Sequence, residues 1–201
     1  MRIKGLLEKL LVRIETEGIR KTLRNQVYFN RKIIVIEMEI PLVEPVPLEE
    51  SRYVMVDATN LKEYESEYDL RKVYYYLNKG AKCGLLCKGK ECMGQQLFTT
   101  NNNYLDLRKI GISLKPNDVY LFGLFVYPRF RGTDATKVLA HCTFNYLRNA
   151  HYTNMYGYYF ADNIQSLWYH RAFLKAHEIK KLPAHKIGII EIVNRRPFLQ
   201  I

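Results

Sequence analysis

The chain has 201 residues, 48% of them apolar, and a formal net charge of +11, which suits one well-buried α/β domain with an appendage and leaves too little chain for two full domains. No apolar stretch reaches about eighteen residues, and the charged N-terminus lacks the apolar core and small-residue cleavage site of a signal peptide, so a cytoplasmic protein is expected. Cys83, Cys87, Cys92 and Cys142 form no paired C-x-x-C units, which points to reduced, buried thiols with neither disulfides nor a metal site.

Residues 1 to 32 carry nine Lys and Arg against three Glu, more than half of the net charge. Ile3, Leu6, Leu7, Leu10, Leu11 and Ile14 recur at helical spacing, so an amphipathic helix with a basic face is expected there. Three uses of it stay open: docking on the protein's own sheet, pairing two subunits as a homodimer, or peripheral contact with the anionic inner face of a membrane. Nucleic acid suits it least, because aromatic residues are not interleaved with the charge. RKIIVIEMEI then reads as a strand at 32 to 40, and the three prolines of PLVEPVPLEE make an extended connector. The division expected is an appendage over 1–50 and a core domain over 51–201.

In the core, Tyr53 to Ala58 reads as a strand, and Asp57-Ala-Thr-Asn60 as the cap of a helical segment carrying Leu61, Tyr64, Tyr68, Leu70, Val73 and Leu77. Lys79-Gly80 ends it. A hairpin follows, CGLLC and CMGQQLFTT about a turn at Lys88-Gly89-Lys90. Asn101 to Lys115 is polar and loop-like. Tyr120 to Val126 is β-branched and aromatic, and Pro128 cannot donate to a ladder, so that strand should open into a loop. Past Gly132, Ala135, Val138, Leu139, Cys142 and Tyr146 recur at helical spacing, which starts a helix near Thr133. Unpaired N–H groups at such a helix start, with Arg129 and Arg131 just ahead, bind anions and phosphates above all. YGYYFADN reads as a strand ending at Asp162, Asn163 opens another helix, and Glu178–Leu182 with Lys186–Val193 reads as a closing hairpin.

This order of strand, basic loop, helix, strand and Asn-headed helix resembles the GNAT superfamily of acyl-CoA-dependent N-acyltransferases. Val126, Pro128, Arg131 and Gly132 match that family's Val-x-Pro-x-x-Arg-Gly strand end, and Asn163 and Ser166 match its Asn-x-x-Ala/Ser helix start. The resemblance implies a mixed, strongly twisted central sheet with helices on both faces, to which this chain adds the N-terminal helix and strand. It also implies acetyl-CoA or another acyl-CoA as cofactor. The diphosphate would be held by Arg131, Gly132, Thr133, Asp134, Ala135 and Thr136, with Asn163 and Ser166 contributing from the later helix. The thioester would lie against the main chain of Leu124, Phe125 and Val126.

Two departures from the family pattern carry consequences. Asp134 and Thr136 stand where the family has small residues, and a carboxylate in the first turn can cap the N–H groups meant for phosphate. The family's acid, usually a Tyr seven residues after the Asn, is His170 here, with Tyr169 beside it. Seven residues make two helical turns, so Asn163 and His170 should share a face, and an imidazole of ordinary pKa, about 6.5, exchanges protons near neutrality. His170 and Tyr169 both remain candidates for the acid. No carboxylate lies on Tyr120–Val126, which leaves the base among Tyr120, Tyr158, Asp162 and water.

Sixteen tyrosines offer stacking faces with hydroxyl groups, which favours a small polar amine acceptor such as an amino sugar. A basic appendage on this core also resembles, in layout only, acyltransferases associated with bacterial surface-polysaccharide assembly. The alternatives to an N-acetyltransferase are a non-catalytic module of GNAT shape and an adaptor held to a membrane surface or nucleic acid by charge.

Overall fold

A computed structural model describes residues 14, 19–20, 27–44, 50–64, 70–89, 91–187 and 190–194. The amphipathic helix expected at 3 to 14 lies outside them except for Ile14, which is helical, and so do residues 45–49 of the proline-rich connector. The fold is mixed α/β. Its strands are β1 (Val27–Glu39), β2 (Ser51–Val56), β3 (Lys82–Lys88), β4 (Glu91–Thr99), β5 (Asp118–Val126), β6 (Asn154–Phe160), β7 (His177–Ile187) and β8 (Ile190–Val193). The helices are α1 (Arg71–Leu77), α2 (Leu105–Ile110), α3 (Ala135–Asn149) and α4 (Ile164–Trp168). The strands are hydrogen-bonded in the order β2-β3-β4-β5-β6-β1-β7-β8. Among the described pairings only β5–β6 is parallel. No helix among the described residues is long and apolar enough to cross a membrane.

Contacts divide the chain into two units. The first, residues 37–108 and 112–157, contains β2 to β5 and the start of β6. Its β3 is buried along Cys83–Cys87 because helices cover both faces, which is why KCGLLCK reads as a continuous apolar run. On one face Cys83, Leu85, Cys87 and Leu97 pack with Val73 and Leu77 of α1. On the other, Leu86 and Val126 pack with Ala135 and Leu139 of α3. Asp57 caps the turn after β2 as expected, its Oδ1 accepting from the N–H groups of Thr59 and Asn60 at 2.7 and 3.1 Å.

Residues 101–115 are not simply a loop. Tyr104 and Leu107 are buried around α2, and the Tyr104 ring lies 5.0 Å from Phe122 and 6.0 Å from Tyr120. Asn102 makes the flanks compatible with burial, donating to the Leu114 carbonyl at 2.9 Å and accepting from the Leu114 N–H at 2.6 Å. Its polarity hides the apolar spacing of a short helix.

The second unit comprises the described residues of 1–36, 109–111 and 158–201. Ile34 and Ile36 of β1 pack with Tyr159 of β6 and with Leu167 and Ala176. Arg31 holds Asp162 at 2.8 and 3.0 Å, and Lys109 holds Glu191 at 2.6 Å. The closing hairpin runs β7 straight through Pro183, where a break was expected. Proline removes only a donor; its carbonyl still accepts from the Asn194 N–H at 3.0 Å.

Candidate functional site

The first unit carries the strand end and the helix start that resemble a cofactor cradle, and β5 is irregular there. Gln95 of β4 is opposite Phe125, whereas Leu97 is opposite Phe122. Two steps on β4 therefore face three on β5, the signature of a β-bulge with one extra residue at Gly123–Leu124. Gly123 has φ +62, and a Cβ there would stand 2.8 Å from Leu97 Cδ1, so both conformation and space call for glycine. The buried Gln96 lies opposite the bulge, and its Nε2 donates to the Phe122 carbonyl at 2.8 Å and to the Leu97 carbonyl at 3.1 Å. The bulge and Gln96 were not foreseen. An isolated glycine inside the apolar run VYLFGLFV was the available signal. Pairing with β6 covers only Asp118–Tyr120 against Asn154–Tyr156. Past the bulge, Leu124 is partly buried, Phe125 is 40% exposed and Val126 is buried.

From Val126 the chain enters a short turn at Pro128–Phe130 and reverses at Gly132, whose φ of +81 is left-handed. Arg131 braces the exit. Its Nε donates to the Val126 carbonyl at 3.1 Å, its guanidinium lies 5.3 Å from the Phe125 ring centroid, and no carboxylate among the described residues pairs with it. Arg129 is committed elsewhere, to Glu91 at 2.7 Å.

The start of α3 differs from expectation in one important respect. Asp134 does not cap it: its carboxylate makes no hydrogen bond to the helix end and is exposed. Thr133 takes that role, its hydroxyl donating to the Phe130 carbonyl at 2.7 Å and accepting from the Ala135 N–H at 3.2 Å. The Asp134 backbone is already helical, and its own carbonyl receives the Val138 N–H at 2.9 Å. Among the described residues, the N–H groups of Gly132, Thr133, Asp134, Thr136 and Lys137 have no acceptor. Such groups at the head of a fifteen-residue helix carry a partial positive charge and suit a phosphate.

The second unit holds the remaining candidates. Asn163 caps α4, its side-chain oxygen accepting from the Ser166 N–H at 3.3 Å, which accounts for both positions without a cofactor. The α-helix lasts five residues and widens into a π turn over Tyr169–Phe173, with the Leu174 N–H bonded to the Tyr169 carbonyl at 2.9 Å. The regular two-turn spacing between Asn163 and His170 is therefore α-helical only as far as Trp168. His170 stacks on Tyr159 at 4.9 Å, and Tyr169 meets it edge-on at 5.2 Å.

Protonation differs from expectation too. His170 Nδ1 is sealed from solvent without a hydrogen-bond partner, and burial pushes the imidazole pKa down to about 4. Burial raises the Tyr169 pKa. At neutral pH the imidazole is therefore neutral and the phenol keeps its proton. Of the candidate bases, Tyr120 is buried and Asp162 is paired with Arg31. No three His, Cys, Asp or Glu side chains among the described residues gather as a metal site.

No protein-family model matches the sequence, and no curated protein matches it. Among solved structures the chain is similar to a Drosophila protein, with 14% identity over 84% of this chain and 55% of that one, at a TM-score of 0.49. It is similar to a GCN5-related N-acetyltransferase from Sphaerobacter thermophilus, with 11% identity over 92% and 58%, at 0.48. It is similar also to an aminoglycoside N-acetyltransferase, AAC(6')-Iy, in complex with CoA, with 19% identity over 60% and 88%, at 0.44. The chain spans little more than half the length of the first two. No activity carries over from likeness at this level.

Proposed function

We propose that this protein binds an acyl-CoA, acetyl-CoA in the simplest case, and transfers the acyl group to the amine of a small polar acceptor such as an amino sugar. One observation carries the proposal: among the described residues the N–H groups of Gly132, Thr133, Asp134, Thr136 and Lys137 have no acceptor, and the Asp134 carboxylate beside them leaves them open. A diphosphate satisfies such donors, and Arg131 adds a cation with no carboxylate partner among the described residues. The bulged strand that leads into this loop supplies main-chain N–H groups for the oxyanion that forms when the amine attacks the thioester carbonyl. Collapse of that intermediate breaks the C–S bond, and the departing thiolate takes a proton. The amine gives up its own proton to water or a base.

Calorimetry with acetyl-CoA and CoA tests this. Saturable binding, with CoA released when an amine acceptor is supplied, is the expected result. Binding without turnover would leave a non-catalytic module, and no binding would overturn the proposal.

A further inference from the structure

An extra residue in a strand leaves main-chain groups of that strand without regular ladder partners. In β5 the Phe122 carbonyl is met by a side chain, the Gln96 carboxamide at 2.8 Å, and the same nitrogen donates to the Leu97 carbonyl of its own strand at 3.1 Å. One buried amide thus ties β4 to β5 beside the bulge. What it ties matters because of the next residue. Gly123 has no side chain to define its torsions, and glycine moves readily among backbone conformations. The peptide unit is planar, so anchoring the Phe122 oxygen also orients the Gly123 N–H on the other side of the same plane. With that plane held, the φ of +62 and the ψ of Gly123 together set the direction of the Leu124 N–H.

On the acyl-CoA function proposed above, we infer that Gln96 is a positioning residue: by anchoring the Phe122 carbonyl, it aims the main-chain N–H groups of the Gly123–Leu124 bulge at the thioester carbonyl. Gln96 itself is buried, so it acts through the backbone and does not touch substrate. Leu97 packing under Gly123 supports the same geometry from below, but a hydrocarbon cannot fix the rotation of a peptide plane. The carboxamide can, because a hydrogen bond is directional.

The experiment is isotope-edited infrared spectroscopy of acetyl-CoA, labelled at the thioester carbonyl and bound to the full chain. In the wild type the carbonyl band should lie below its position in free acetyl-CoA, the signature of a hydrogen bond to the oxygen. In Gln96→Met the band should move back towards the free position. Affinity for CoA, which has no thioester carbonyl, should stay within about twofold, a split that separates aiming from general damage. A band unmoved in Gln96→Met, with CoA still bound, overturns the inference. A wild type that binds no acetyl-CoA overturns the acyl-CoA function first, so the two failures are distinct. Should Gln96→Met fail to fold, Gln96→Glu takes its place. A neutral carboxyl can donate to the Phe122 carbonyl and a carboxylate cannot, so its band should approach the free position as pH rises while the wild-type band stays still. A pH-independent band in Gln96→Glu overturns the inference.

Discussion

Replacing Gly123 by alanine adds one methyl group at the bulge, and the structure sets its consequences. At φ +62 an L-residue is left-handed, which costs about 1–2 kcal/mol. The methyl would lie 2.8 Å from Leu97 Cδ1, where carbon atoms prefer about 3.5–4.0 Å. Leu97 is buried among Val73, Leu85 and Cys87 and has little room to yield, so overpacking adds about 1–3 kcal/mol. Alanine also restricts the unfolded chain, which returns about 0.4–1 kcal/mol. The net loss is about 3 kcal/mol, or a fall in Tm of about 6–12 °C for a chain of this size. Urea denaturation should show a lower midpoint at unchanged slope. Gly80→Ala is the control, since Gly80 has φ +83 but open space around its missing Cβ, and only the conformational part should appear. In a Leu97→Ala background the Gly123→Ala loss should shrink by about 1 kcal/mol, because the two atoms that collide are no longer both present. A Gly123→Ala loss no larger than that of Gly80→Ala, or full additivity with Leu97→Ala, would refute the bulge geometry.

Three further outcomes are expected. Gly84→Ala should destabilise the first unit, because its methyl would overlap the hydroxyl and ring edge of Tyr53, which donates to Thr143 Oγ1 at 3.3 Å; chemical denaturation measures this, and Tyr53→Val should recover part of the loss. Arg131→Ala should weaken acetyl-CoA binding by about tenfold through loss of a charge-assisted contact, with the difference shrinking at high salt; calorimetry giving equal affinities would place the diphosphate elsewhere. The His170 pKa is depressed from about 6.5 in the unfolded chain to about 4 in the fold, so the unfolded state takes up the proton first. Its neutral burial leaves stability intact above pH 6.5 and erodes it as pH falls from about 6.5 towards 4, by about 3 kcal/mol in all. His170→Phe should flatten that part of a pH series of unfolding midpoints, and an unchanged slope would mean that the imidazole is solvated.

Much of the fold was legible because the responsible patterns are local. The hairpin of β3 and β4 is bracketed by apolar runs about Gly89, whose φ of +60 is what such a turn asks of glycine. The end of β5 at Val126 follows from Pro128, and the Asp57 cap follows from the spacing of Asp and Asn. The errors have physical causes too. Asn102 makes 101–115 look like a loop, and only its bonds to Leu114 show how the polar flank accommodates a buried helix. Pro183 looks like a break until a strand needs its carbonyl alone. Asp134 looks like the cap of α3, yet Thr133 is placed to bond Phe130 and Ala135 together and takes that position.

By itself the sequence determines where β3, β4 and β5 run, and that a basic loop leads into the head of a long helix, because periodicity, proline and glycine act over a few residues. Tertiary structure alone decides that Gly123 sits in a bulge held by Gln96, that the Thr136 and Lys137 N–H groups of α3 find no acceptor among the described residues, and that His170 is neutral. Register depends on a partner strand and protonation on the packing around a ring, and neither is written in a pattern of a few residues.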